Sequence, residues 1–344
     1  MNKIINHPDH MISEMLDGYL AMYGDQFEKI PNPNGKCNGM IRKDRRDKVS
    51  VVVGGGGGNE PWIIGYVGKG LADGAALGPV YTAPPARAIL NVTKEVPHEK
   101  GVVYIAANHT GDVLNFELVS ELAELEGIRT ECVFVTDDIT SAPIEHQEER
   151  RGVAGISMVV KIAGAAAEAG LELDEVVRIA RKACANTYTF SVTTSPGYMP
   201  GSGKAMFEMP EGEIEYGMGF NGENGVLHTP LTSADEIADT LMKYLLDDIR
   251  PAEGDELAVF VNGFGFTSKL ELCILSRRVH EILCEKGAAI YDMFIDELFC
   301  PQGTGGLSIS IVRLDEELKK YYDAPAYAPF FKKMKMGDLR WETR

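Results

Sequence analysis

Three short stretches hold the residues whose types and spacing could do chemistry. The first is Gly54-Gly55-Gly56-Gly57-Gly58-Asn59-Glu60-Pro61, which comes after the β-branched run Val51-Val52-Val53. Glycine is costly in conformational entropy, so five in a row point to a sharp turn or a close backbone approach rather than to stability. Ligands in open α/β sheets sit just outside the carboxyl ends of strands, where this run falls. The second stretch is Ala107-Asn108-His109-Thr110-Gly111-Asp112, between a strand and a helical pattern that begins at Val113. Asp112 therefore stands beside a strand end and a helix N-terminus, either facing a ligand or capping the helix. The third is the loop 217–225, with Asn221, Glu223 and Asn224 among four glycines.

Two nucleotide motifs fail on these stretches. The dinucleotide fingerprint needs a glycine at its sixth position, which from Gly54 is Asn59. The phosphate loop ends in Gly-Lys-Ser/Thr, and no such ending lies near Gly58. Gly203-Lys204 is followed by Ala205, and Tyr198 stands where the first glycine belongs. A simpler reading of the glycine run is a loop packed against a neighbouring backbone.

The elements that must position these residues alternate between strand and helix. A helix is expected over 9–24 with Asp9 as its cap, and a polar loop over 31–47. Strands are expected at 49–53, 102–106, 132–136, 190–193, 257–261, 289–294 and 307–312. Helices are expected near 86, from 113, and over 160–170, 174–186, 233–249 and 269–286. Ser233 stands three residues before Glu236 in the capping-box pattern. Such alternation specifies an α/β architecture. The 344 residues suffice for two domains, at 1–190 and 191–344. No apolar run is long enough to cross a membrane, and no signal peptide is legible. The six cysteines are scattered without metal-ligand spacing, so no metal site is expected and a reducing cytoplasmic setting fits. A net charge of −17 argues against nucleic acid or an anionic membrane as partner.

Several stretches together resemble the dihydroxyacetone kinase K subunit family, across nearly the whole chain. They are 54–61, Gly65-Tyr66-Val67-Gly68-Lys69-Gly70, 108–116 with its Thr-Gly-Asp-Val-Leu-Asn-Phe block, 150–155, 161–170, Phe207-Glu208, Asn221-Gly222-Glu223 and Val261-Asn262-Gly263. The resemblance implies two α/β domains, each a mostly parallel or mixed sheet flanked by helices, and a homodimer. It implies a subunit that binds a small ketose such as dihydroxyacetone. ADP or ATP with Mg²⁺ is then expected on a separate L-type subunit, rechargeable in bacteria by a phosphotransferase-system protein. No cofactor is expected on this chain.

Carried over residue by residue, the family's site departs from its pattern here. The histidine of the family's Gly-His-Glu-Pro motif is Asn59. The histidine that captures the substrate carbonyl as a hemiaminal is Asn221. The family's lysine is Ala107 and its tyrosine is His109. Asp112, the family's base or orienter of the hydroxyl being phosphorylated, is retained. The site so implied comprises Gly56, Gly57, Asn59, Ala107, Asn108, Asp112 and Asn221, with Asp112 and His109 as the groups for proton transfer. An amide nitrogen is no nucleophile at neutral pH, so hemiaminal capture is not expected and selectivity for a carbonyl should relax. Asn59 and Asn221 each offer a donor pair and an acceptor to a polyhydroxy ligand. His109 is a substitute base, a clamp for an anion, or an exposed turn histidine. The resulting expectation is a kinase-like substrate-binding subunit. The alternative is a non-catalytic paralogue acting as ligand sensor or transcriptional coactivator.

Overall fold

The computed structural model describes residues 3–32, 38–220 and 222–333. Asn221, one of the site residues implied by the resemblance, lies outside them. Two six-stranded sheets form the frame. The first holds β1 (Phe27–Ile30), β2 (Gly39–Arg42), β3 (Ser50–Gly57), β4 (Gly74–Val80), β5 (Val102–Ala107) and β6 (Thr130–Val135), in the spatial order β1-β2-β4-β3-β5-β6. Strands β4, β3, β5 and β6 run parallel, whereas β1 and β2 pair antiparallel on one edge. The second sheet holds β7 (Thr187–Ser195), β8 (Glu213–Tyr216), β9 (Leu227–Pro230), β10 (Glu256–Gly263), β11 (Ala289–Asp296) and β12 (Gly305–Leu314), in the order β11-β10-β12-β7-β8-β9. A short ribbon, β13 (Ala326–Ala328) with β14 (Phe331–Lys333), closes the described chain. The expected α/β class with two sheets and flanking helices is what the chain forms.

Helices α1 (Met11–Tyr23), α2 (Ala86–Glu95), α3 (Thr110–Leu125), α4 (Ile156–Glu168) and α5 (Leu173–Ala185) dress the first sheet, and α6 (Ala234–Ile249) and α7 (Lys269–Glu285) dress the second. One apolar cluster fills the outer face of the first sheet under α2 and α3, and another fills the second sheet's face under α6 and α7. A third is shared: it runs from Leu16 of α1 through α4 to Phe260 of β10 and Val312 of β12. Helix α4 is buried at every residue from Ile156 to Ala167, as a helix apolar on all sides must be. Its Lys161 is buried too and donates to the carbonyls of Tyr321 and Ala324, the latter at 2.6 Å, tying α8 (Glu316–Tyr322) to α4. Burial lowers that ammonium to about 7.

The structure corrects several expectations. The 190/191 boundary falls inside β7, all of which lies in the second sheet, and residues 316–333 return to pack with the first half. The glycine run is no turn: β3 continues through Gly57, pairing Gly54 with Ala76 and Gly56 with Gly78. Only Gly58 in that run has a positive φ, +99°. Strand β4, Gly-Ala-Ala-Leu-Gly-Pro-Val, was not anticipated, because small residues without β-branching show strand only once neighbours pair with them. Strand β2 lies in the expected 31–47 loop and is buried throughout. Asp9 is not a cap; the His7 ring accepts from its N–H at 3.2 Å. Helix α4 starts at Ile156, ahead of the expected 160. The Ser233 capping box is present, and Ser268 forms a second one with Glu271.

Candidate active site

The carboxyl ends of β3 and β5 open onto a cavity of about 330 Å³. Its walls come from both halves of the chain. Gly54, Gly55, Gly56, Asn59 and Trp62 come from β3 and the turn after it, and Ala107, His109, Gly111 and Asp112 from the β5–α3 turn. Gly152 comes from the connection between sheets, and Phe220 and Phe299 from the second half. The turn of Tyr81, Thr82 and Ala83 completes it.

Each wall has a local cause. A side chain on Gly54 would meet the Phe116 ring at 2.9 Å, and one on Gly56 would meet the Thr82 amide nitrogen at 2.5 Å. The missing Cβ atoms therefore let α3 and the 81–83 turn close against the strand. In the Thr-Gly-Asp-Val-Leu-Asn-Phe block, helical spacing separates three tasks. Asp112 faces the cavity, Asn115 accepts from Ala86 N–H at 3.1 Å to start α2, and Phe116 packs under Gly54. Buried Asn262 accepts from the amides of Leu298 and Phe299, both at 3.0 Å, and donates to the Phe299 carbonyl at 2.7 Å. That loop carries Phe299 onto Phe220 (ring centroids 4.8 Å) and Trp62 (5.5 Å, stacked). It also docks on the glycine turn, where Cys300 N–H donates to Asn59 O at 3.1 Å and Gln302 N–H to Gly58 O at 2.9 Å.

The Arg150-Arg151-Gly152 stretch supports the other side. Asp137 is fully buried and accepts from Val153 N–H at 2.7 Å and Gly155 N–H at 2.8 Å. Asn108 donates to the carbonyls of Glu148 at 3.1 Å and Arg150 at 2.7 Å. The His109 ring donates through Nε2 to Gly152 O at 2.9 Å. A Cβ on Gly152 would lie 2.7 Å from Ala107 Cα, so the connection packs directly on the end of β5.

The electrostatics centre on Asp112. It is only 8% exposed, at the third position of α3, and its Oδ1 has no hydrogen-bond partner. The N-cap residue His109 makes no side-chain capping bond, and Asp112 stands as the acidic residue in the first turn of α3. Burial pushes its carboxyl up to about 7. Asn59 is also buried, and its Oδ1 is likewise unpartnered. Next to it, Glu60 accepts from Gly58 N–H through both oxygens, at 3.0 and 3.1 Å, while burial raises its carboxyl.

Of the expected site residues, Gly56, Asn59, Ala107, His109 and Asp112 meet at this cavity. Gly57 does not. A Cβ there would lie 2.2 Å from Ile12 Cδ1, so this glycine admits α1, at the point where the β3–β4 register shifts between Gly56 and Gly57. Asn108 is not in the wall either; its amide is spent on the 148–150 backbone. Trp62, Tyr81, Thr82, Phe220 and Phe299 were missed. The glycine run and the 217–225 loop flagged the neighbourhoods of Trp62 and Phe220, but nothing local marks Phe299. Among the described residues the lining holds no lysine or arginine.

The model of the Dak1 domain matches residues 17–330. The chain belongs to the Dak1 family. Among curated relatives, the dihydroxyacetone-binding subunit DhaK of PTS-dependent dihydroxyacetone kinase 2 from Listeria innocua is 41% identical over 332 residues, covering 96% of this chain and 99% of that one. The L-erythrulose kinase of Pectobacterium atrosepticum is 37% identical over 343 residues, and this chain spans 57% of its length. Among solved structures, the C. freundii dihydroxyacetone kinase in complex with AMP-PNP and Mg²⁺ superposes with a TM-score of 0.87 at 29% identity, covering 94% of this chain and 60% of that one. The dihydroxyacetone kinase operon co-activator Dha-DhaQ gives 0.85 at 28%, covering 91% and 96%. The solved structures that share this scaffold thus include a kinase and an operon co-activator. Among the described residues, no helix is long and apolar enough to cross a membrane.

Proposed function

We propose that this chain is the substrate-binding subunit of a dihydroxyacetone kinase-like phosphotransferase acting on a small ketose or polyhydroxy compound. The observation that carries this reading is Asp112: buried and unpartnered at Oδ1, on the wall of the cavity. The carboxylate takes the proton of a substrate hydroxyl as that oxygen forms its bond to phosphorus. The chemistry supplied from outside this chain is the phosphoryl group of a nucleotide with Mg²⁺ on an L-type partner, recharged or replaced there. This chain's residues bind the substrate, orient the hydroxyl and exclude water behind Trp62, Phe220 and Phe299. With Asn59 where the family's motif histidine stands and Asn221 where its hemiaminal-forming histidine stands, the ligand is held without a covalent bond. The likeness to the L. innocua subunit, a dihydroxyacetone-binding subunit of a PTS-dependent kinase, supports a partner subunit, and a cytoplasmic setting and a homodimer are part of the same proposal. The test is phosphoryl transfer to trioses and tetroses on mixing with an L-type subunit, nucleotide and Mg²⁺. Transfer abolished by Asp112→Asn supports the reading; no transfer with any L-type subunit overturns it.

The second reading, a ligand sensor or transcriptional coactivator, has its own support. Ala107 replaces the family's lysine, and the Dha-DhaQ co-activator shares the scaffold. Ligand binding without turnover, together with retention of a transcription factor on this chain, would favour it.

A further inference from the structure

The cavity presents acceptors beside donors, the Asn59 Nδ2 and Trp62 Nε1 groups. Asn59 Oδ1 and Asp112 Oδ1 are buried without partners. His109 commits its Nε2–H to Gly152, so in the neutral ring Nδ1 keeps its lone pair. Lysine, arginine and cysteine are absent from the described lining, so it offers no amine or thiol, and the His109 imidazole is its nitrogen base. Leaving a buried acceptor unsatisfied is costly. A ligand relieves that cost only by bringing donors.

This sorts small ligands by functional group. A hydroxyl donates and suits each of these acceptors. A carbonyl oxygen only accepts, so it serves the donors of the wall and leaves these acceptors unmet, whereas a hydroxyl serves either. A carboxylate would bring a second negative charge beside Asp112 with no countercharge in the wall. The aromatic walls of Trp62, Phe220 and Phe299 suit the C–H faces of an open chain. The cavity of about 330 Å³ equals roughly ten waters' share of liquid volume, room for a four-carbon chain with its hydroxyls.

We propose that the cavity takes a neutral open-chain polyol through its hydroxyl groups alone, binding a reduced alditol as readily as the matching ketose. The inference rests on Asp112 facing the reacting hydroxyl, and goes further by removing any need for a carbonyl in the substrate. The oxygen that becomes phosphorylated loses its proton to Asp112 as before, and a carbonyl at the neighbouring carbon plays no part.

The experiment is calorimetry on the full chain at pH 8 with erythritol, threitol, L-erythrulose, dihydroxyacetone and erythronate, with intact-mass measurement of each mixture. The expected result is an alditol Kd within about threefold of that for erythrulose, erythronate weaker by about tenfold or more, and no added mass. Asn59→Leu should weaken alditol and ketose alike by about tenfold, the worth of one hydrogen bond. If that variant fails to fold by circular dichroism, Asp112→Asn carries the same test, with a similar loss for both ligands. Ketose binding about a hundredfold tighter than either alditol, no alditol binding, or a stable dihydroxyacetone adduct would overturn the inference. The two proposals fail separately. Turnover of ketose alone with an L-type subunit keeps the phosphotransferase reading and overturns this one. Alditol binding that no L-type subunit converts supports this one and overturns the phosphotransferase reading.

Discussion

Arg150 and Asp248 form a bidentate ion pair, with Nη1 to Oδ2 at 2.9 Å and Nη2 to Oδ1 at 2.7 Å, and the arginine is fully buried. The pair fastens the connection between the sheets to α6. The same arginine offers its carbonyl to Asn108, and the chain two residues on offers Gly152 O to His109. Removing one partner of a buried pair strands the other charge, at about 3–5 kcal/mol. Asp248→Ala should therefore lose on that order of stability in urea unfolding and weaken ligand binding, although Asp248 does not line the cavity. An unchanged midpoint would show that the connection is held otherwise.

Asp112→Asn tests the site chemistry. Transfer should fall by about two orders of magnitude or more, the usual worth of a general base. The fold should survive, because Asp112 Oδ1 has no hydrogen-bond partner to lose. Steady-state rates with an L-type subunit and a circular dichroism spectrum check both halves of this prediction.

The pH dependence comes from the same group. With its carboxyl pushed up to about 7, Asp112 holds a proton in the native state that the unfolded chain has already released above its ordinary value of 3.8. Native protein therefore binds more protons between these limits, and this group's contribution to stability falls as pH rises from about 4 to 7, then levels off. The full span is at most roughly 4 kcal/mol. The melting temperature of Asp112→Asn, relative to the parent, should rise over that window and stay constant above it. Turnover of the parent subunit should climb through about pH 7 as the base ionises. A rate flat from pH 5 to 8 would contradict this.

Gly152→Ala would place a methyl 2.5 Å from Val135 O and 2.7 Å from Ala107 Cα, both backbone atoms that cannot step aside. Overpacking of this kind costs about 1–3 kcal/mol. It should also shift the Gly152 carbonyl that His109 bonds, so ligand affinity should drop with the melting temperature. Gly127→Ala, whose Cβ meets nothing within 4 Å but whose φ is +77°, is the control for backbone strain alone.

Much of the frame was legible from residues a few positions apart. Helices α6 and α7 are dictated by apolar spacing, with Ser233 marking the first start, because caps and periodicity act within a turn. The placing of Asp112 near the start of α3 was legible for the same reason, although the helix begins at Thr110 rather than at Val113. Strand β4 was not, since its small residues become a strand only by pairing with β3 on one side and β2 on the other. The roles within the glycine run were not legible either. The register of β3 against β4 shifts between Gly56 and Gly57, so Gly56 meets the cavity while Gly57 admits Ile12, and no glycine's identity states which neighbour it meets.

By itself the sequence determined the α/β class, the place of Asp112 near a strand end and a helix start, and the acidic balance of the chain. Those are properties of residue type and short-range order. Only the tertiary structure decided that Asp112 is buried with an unpartnered oxygen, and that Asn108 is a structural tie. It alone closed the cavity with Phe299 of the second half. Burial, desolvation and cavity shape are produced by contacts between residues far apart in the chain, and no local pattern encodes them.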